Sequence, residues 1–260
     1  MTGAQDDGAK AREAAIGARP LPKRFYKTVD VAEAPATPDV QGSAFHILLD
    51  GKRVRTPAKK AFAVPTRGLA EAIAAEWEAQ GERVDPAAMP LTRLVNSAID
   101  GVRGREAEVR ADIAKYAGSD LVCYRAEEPE ELVRRQAEVW DPVIAWGRDA
   151  LGARFEIARG IMPVVQPEAA KSSAAGALSG RDAFALAALH VMTTLMGSVL
   201  LALAHAHGRL STEDAWAAAH VDEDWQISKW GEDDEAAARR KRRLTEMQAA
   251  SRMLALLEGA

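Results

Sequence analysis

The hydrophobic pattern of the chain changes period once. Up to Pro65 it consists of short apolar runs broken by turn residues. "RFYKTVDVAE" and "FHILLDGKRVRTP" read as strands, and Asp50-Gly51 predicts the type I′ turn of a tight hairpin. "APATPDVQG" is a Pro-rich break between them, and "KKAFAVP" supplies another short strand. At Thr66 the spacing becomes helical. "TRGLAEAIAAEWEAQ" sets Leu69, Ile73, Trp77 and Gln80 along one face, with Gly81 as the expected stop.

After a linker, "VDPAAMP", nearly everything reads as helix. "LTRLVNSAIDGV" is preceded by Pro90, a residue suited to a first helical turn. "REAEVRADIAKYAG" follows. "SDLVCYRAE" is short and ambiguous. "PEELVRRQAEVWDPVIAWGRDALG" is a long helix that Pro142 is expected to kink or break. "FEIARGIMPVVQP" reads as an extended excursion. Asp182 and Ser211 are placed to cap the next two helices, and a last helix starts near Asp233. The pattern predicts an α+β protein. A flexible tail (1–20) precedes a small β-rich domain with one helix (21–88) and a larger all-α domain (89–260).

From Ala183 to Gly208 there is no Asp, Glu, Lys or Arg. That length spans a bilayer, but the run is rich in alanine. His190, Thr194 and Ser198 also fall at i, i+4 and i+8, a thin polar seam. A central helix buried among others is the expected reading, with no membrane insertion.

Composition narrows the function classes. The 260 residues are 48% hydrophobic and 28% charged, as in ordinary globular proteins. The formal net charge of −4 supplies no overall basic field for nucleic acid or anionic lipid. One cysteine, Cys123, allows neither an intramolecular disulfide nor a cysteine zinc site. The first residues, "MTGAQDDGAKAREAAIGARP", show neither an apolar signal core nor the acid-poor composition of a transit peptide, so a cytoplasmic location is expected.

No catalytic residue, metal site or cofactor is predicted. His205 and His207 point about 200° apart on a helix, unlike an i, i+4 zinc pair. His190 reads as a core histidine satisfied by hydroxyls. No phosphate-cradling glycine loop and no nucleophile elbow occur, so no small-molecule substrate is expected. "GKRVRTPAKK" and "RRKRR" (239–243) are basic. The first reads as a hairpin edge protected from foreign strands, the second as a solvated helix face with Glu235 at i−4 to Arg239.

The residue pattern that resists a bland reading is "DEDWQISKWGEDDE", residues 222–235. Its acids suit helix starts, where the macrodipole favours them. Its tryptophans are harder to place. Trp216, His220, Glu223, Ile227 and Trp230 form one seam on a continuous helix, whereas Trp225 lies about 140° from Trp230. One indole can face the core and the other must meet a second surface, of this protein or a partner. Tryptophan beside acids is common where partners anchor.

Taken with "RFYKTV", "FHILLDGKRVRTP", "AAEWEAQ", "MPLTRLVNSAID", "LVCYRAEEPEELVRRQAEVWDPVIAW" and "GIMPVVQP", the stretch "DEDWQISKWGEDDEA" resembles the chaperones that assemble the catalytic head of F-type ATP synthase. The resemblance runs from Arg24 to the last helix. It implies a small β-rich domain and a larger helical one, no catalysis and no cofactor. The implied partner is the unassembled alpha subunit, whose beta-contacting surface the chaperone shields. The family is best known in mitochondria; this chain looks like a bacterial, alphaproteobacterial member. The resemblance assigns Glu223, Trp225, Gln226, Trp230, Gly231, Glu232 and Glu235 to partner binding. Trp77 matches the family's helix tryptophan, and its apolar stripe makes it structural support. Two alternatives stand beside this reading: a carboxylate- or metal-dependent hydrolase using the acids near 222–235, and a nucleic-acid binder using the basic runs.

Overall fold

The structure, a computed structural model, describes residues 20–34, 44–160 and 162–259. The expected tail and most of "APATPDVQG" lie outside the described residues. Strand β2 (Ala44–Leu49) is the centre of a four-stranded antiparallel sheet. Along its whole length it pairs with β1 (Val29–Ala34), Val29 opposite Leu49 and Ala34 opposite Ala44. It also pairs with β3 (Lys52–Arg53) at one end and β4 (Ala63–Val64) at the other. Asp50 and Gly51 both have positive φ, 48° and 75°, as the expected type I′ turn requires. Alternation sends Phe45, Ile47 and Leu49 to one face. Helix α1 (Arg67–Glu78) packs there with Leu69, Ala70 and Ile73. Thr66 caps α1 by accepting from the Leu69 amide. The helix stops at Glu78, before the predicted Gly81. The Arg24 guanidinium, not a glycine turn, takes up the carbonyls of Glu78 and Gln80.

The helical layer contains α2 (Pro90–Ser97), α3 (Glu106–Lys115), α4 (Glu130–Leu151), α5 (Glu168–Gly176), α6 (Ala183–Met196), α7 (Val199–Ala206), α8 (Thr212–Ala219), α9 (Val221–Trp230) and α10 (Asp234–Leu257). Pro90 opens α2, and Asp182, Ser211 and Asp233 cap α6, α8 and α10. The ambiguous "SDLVCYRAE" forms a tight turn and β5 (Tyr124–Arg125), which pairs in parallel with β6 (Ala158–Arg159) from the extended excursion. The fold is α+β, as expected. Helix α6 lies at the centre, against α2, α3, α7 and α10. The sheet layer is latched onto the helices by carboxylates. Glu76 on α1 accepts from the backbone amides of Leu91 and Thr92 (both 2.8 Å) and from the Thr92 hydroxyl. It thereby caps α2, which has no N-cap side chain of its own. Asp100 accepts from the Thr56 hydroxyl and the Ala58 amide.

Four expectations are corrected. The uncharged run is two helices, not one: Gly197 closes α6 at φ 64°, and Ser198 caps α7 through the Leu201 amide. Thr194 is exposed and Ser198 buried, so the polar seam dissolves. Among the described residues no helix is long and apolar enough to cross a membrane. Pro142 neither breaks α4 nor ends it. Pro142 and Glu138 are both exposed, so the carbonyl that the proline leaves unpaired faces water. The buried histidines are His46 and His220; His190 is only half-buried. Finally, Trp216 and Trp230 do not share a helix, because the chain turns at His220 between α8 and α9.

Candidate interaction surface

Helix α9 is short and carries Asp222, Glu223 and Asp224 in its first turn, where the backbone amides favour negative charge. Only Val221 is fully buried in it. It is held on α4 by polar contacts. Gln136, buried on α4, accepts from the Ala126 amide and donates to Asp222 at 2.7 Å. The Lys229 ammonium donates to Glu131 at 2.7 Å and lies 5.7 Å from the Trp225 ring centroid. Lys229 chiefly, and more weakly the Trp225 indole N–H, hold the Glu131 carboxyl below its ordinary range. That N–H is buried without a well-formed acceptor among the described residues.

At the start of α9, His220 is buried against Trp216, the two rings tilted by 36° with centroids 3.9 Å apart. Its Nδ1–H donates to the Trp216 carbonyl, and burial pulls its pKa down, so the ring is neutral near pH 7. Glu223 stands 3.8 Å from Nε2, half-exposed.

The two tryptophans divide as required. Trp225 is half-buried against the core, and Trp230, on the last turn of α9, is 73% exposed. Their rings do not diverge, however. They meet edge to face, centroids 5.6 Å apart, so the half-buried ring supports the exposed one. Gly231 then turns the chain at φ 87°, a conformation costly for other residues. Asp233 caps α10 through the Ala236 amide. Glu235 pairs with Arg239 at 2.6 Å, the i, i+4 pair expected from the sequence. Arg240 pairs with Asp224, and Arg243 donates to the Leu195 carbonyl. Two arginines of the "RRKRR" run, Arg240 and Arg243, thus tie α10 to α9 and α6.

Of the residues singled out, Gln226, Trp230, Gly231, Glu232 and Glu235 are exposed on one short stretch, and Glu223 and Trp225 are half-buried beneath it. Trp77 lies elsewhere, half-buried edge to face with Tyr26. Sequence reasoning missed Glu131, Gln136 and Lys229, which hold α9 in place. Their pairings span 86 and 98 positions, and no local pattern signals them. No group of three or more His, Cys, Asp or Glu among the described residues could hold a metal ion. The arrangement is an acidic ledge from which one indole projects.

Residues 23–148 match the model of the ATP12 chaperone protein family. The chain is 40% identical to Atp12 from Paracoccus denitrificans, covering 98% of that crystal structure and 91% of this chain, with a TM-score of 0.84. The chain belongs to the ATP12 chaperone family. Another crystal structure, the Agrobacterium tumefaciens protein Atu1473, is 49% identical, with 95% of this chain and 90% of that one covered and a TM-score of 0.85. Protein atp12, mitochondrial, from Schizosaccharomyces pombe is 24% identical over 233 residues, 84% of this chain and 78% of its own length. Membership bears out the resemblance to ATP synthase assembly chaperones. An ATP12 chaperone is not an enzyme, so the hydrolase alternative falls.

Proposed function

We propose that this ATP12-family chaperone binds the unassembled alpha subunit of F-type ATP synthase in the bacterial cytoplasm. It covers the surface that beta later occupies. Free subunits expose apolar interface and aggregate, so a holder must cover that surface and still give it up. A single projecting aromatic with a charged rim meets both needs: anchoring comes from the indole, and the polar rim keeps affinity moderate. The observation that carries this reading is Trp230, largely exposed yet supported by Trp225 and followed in the chain by four exposed acids, Glu232 to Glu235. Glu223, Gln226, Gly231, Glu232 and Glu235 complete the proposed contact.

The test is co-expression of tagged full-length chain with separate alpha and beta subunits. Alpha is expected to co-purify, and beta to displace the chaperone when added. Trp230→Ala is expected to weaken capture about tenfold or more, the loss of an anchoring residue. Capture of beta but not alpha, or capture indifferent to Trp230 and Glu232 substitution, overturns the assignment.

A further inference from the structure

A second surface is built with the opposite charge. Residues 20–28 form a strap fixed on both sides. The Pro22 carbonyl accepts from Val84, the Arg24 amide donates to Glu82, and Asp50 accepts from the amides of Lys27 and Thr28 at 2.9 Å. In the middle of this anchored strap Phe25 is 71% exposed. It is not a loose end. Its ring meets Tyr26 edge to face at 5.3 Å, and Tyr26 meets Trp77 in the same way. Phe25, Tyr26 and Trp77, together with Lys52, Arg53 and Arg55, line a cleft of about 350 Å³. That volume is enough for a side chain of a bound segment.

Among the described residues the basic charge of this cleft is uncompensated. The cleft lining carries Lys52, Arg53 and Arg55 against Asp50 alone, on a chain whose net charge is −4. The Asp50 carboxylate is already engaged by the strap, and no described carboxylate pairs with Lys52, Arg53 or Arg55. Edge protection accounts for lysines on a hairpin. It does not account for a largely exposed phenylalanine in the same cleft.

We propose that this cleft takes an extended acidic segment carrying an aromatic or aliphatic side chain, which packs on Phe25 while its carboxylates meet Lys52, Arg53 and Arg55. The segment belongs to the client subunit, and on that point alone the inference rests on the function proposed above. The chaperone then grips its client at two places of opposite charge, the acidic ledge of Trp230 and the basic cleft of Phe25.

The chemistry is tested with a short fluorescein-labelled peptide of alternating Glu and Leu with one central Phe, titrated with full-length chain. Affinity is expected to fall about tenfold in Lys52→Glu/Arg53→Glu and severalfold in Phe25→Ser, to weaken with salt, and to be unchanged in Trp230→Ala. All these side chains are exposed, and an unchanged melting temperature confirms that each variant folds. Absent binding, equal binding by the double variant, or easier displacement by a single-stranded oligonucleotide than by unlabelled peptide overturns the proposal. The partner is tested by capture of the alpha subunit, expected to be weakened in the same double variant. Undiminished capture overturns the cleft as part of the client surface. Peptide binding by a wild-type chain that captures no alpha subunit sinks the function proposed above and leaves the chemistry of the cleft standing.

Discussion

Two helix junctions in this protein are built from the same parts and differ in what surrounds them. Between α6 and α7 the chain turns at Gly197-Ser198, and Asp120 from a distant loop is fully buried beside the turn. Its carboxylate accepts from the Leu200 amide at 3.0 Å and the Val122 amide at 3.2 Å. Between α9 and α10 the chain turns at Gly231, among exposed acids. In both places carboxylates satisfy helix amides that would otherwise lack partners. Inside, each acceptor is matched to a donor. Outside there is a surplus: Asp233 caps α10 and Glu235 pairs with Arg239, but Glu232 and the Trp230 ring serve no described contact needed by the fold beyond the Trp225 edge. On the function proposed above, this surplus is what the client subunit contacts.

The sharpest way to break this comparison is to remove Asp120. Asp120→Ala strands two buried amides, each worth about 1–3 kcal/mol unpaired. The melting temperature is expected to drop by about 5–12 °C for a domain of this size, measured by calorimetry. The same residue gives a pH signature. Burial raises its folded pKa to about 6 from 3.8, so the folded state holds the proton more tightly. Its contribution to stability is therefore largest below pH 4 and declines as pH rises to about 6, by about 3 kcal/mol in all. Asp120→Asn is expected to remove that decline. An unchanged stability profile in the Asn variant means that the group is not ionising inside the fold.

Next in size is the contrast within the outer junction itself. Trp225→Ala empties a half-buried position and is expected to cost about 2 kcal/mol, whereas Trp230→Ala is expected to change stability by about 0.5 kcal/mol or less. Denaturant titrations of the two variants separate them. Equal losses mean that Trp230 is a structural residue and its exposure carries no functional meaning.

This contrast also shows how far the sequence could be read. The β-to-helix change at Thr66, the Asp50-Gly51 turn and the caps at Asp182, Ser211 and Asp233 are set by neighbours in sequence, and they were legible. Division of the tryptophans into one inside and one outside followed from helical geometry. The edge-to-face contact of their rings did not, because the wheel gives directions of Cβ and not the reach of an indole across the last turn. The α6–α7 break was written in the sequence as Gly197-Ser198, a glycine stop followed by a serine cap. Apolar residues on both sides hid it, since uniform burial erases the period that marks a boundary. The sequence pattern reads the strap with Phe25 only as part of a strand. Its anchors at Glu82, Val84 and Asp50 are tertiary and leave no local trace.

Gly231 gives a smaller effect. Its φ of 87° is sterically unfavourable for other residues, although open space surrounds the position a Cβ would take. Gly231→Ala is expected to cost about 1–2 kcal/mol through the backbone alone. If the chain instead relaxes to negative φ, the direction of α10 relative to α9 changes and alpha-subunit capture falls with little loss of stability. Measuring both quantities in one variant distinguishes strain from redirection.

The smallest expected effect lies at Lys229. Its ammonium joins Glu131 across two exposed helix faces, and exposed pairs add little to stability. Lys229→Ala should leave the melting temperature nearly unchanged. The pair is nevertheless the clasp that sets the last turn of α9, because Lys229 also lies over the Trp225 ring on which Trp230 rests. Removing it should let the Glu131 carboxyl titrate closer to its ordinary range, visible by NMR. The sign follows from linkage: a depressed carboxyl pKa favours the fold above the unfolded pKa, and this contribution is lost as pH falls through the folded value. The variant should lack that acid-side loss. Tryptophan fluorescence should shift as the ring pair loosens, and alpha-subunit capture should weaken while stability holds. A variant with shifted Glu131 titration but unaltered fluorescence and capture would show that the ledge is held by Gln136 and Asp222 alone.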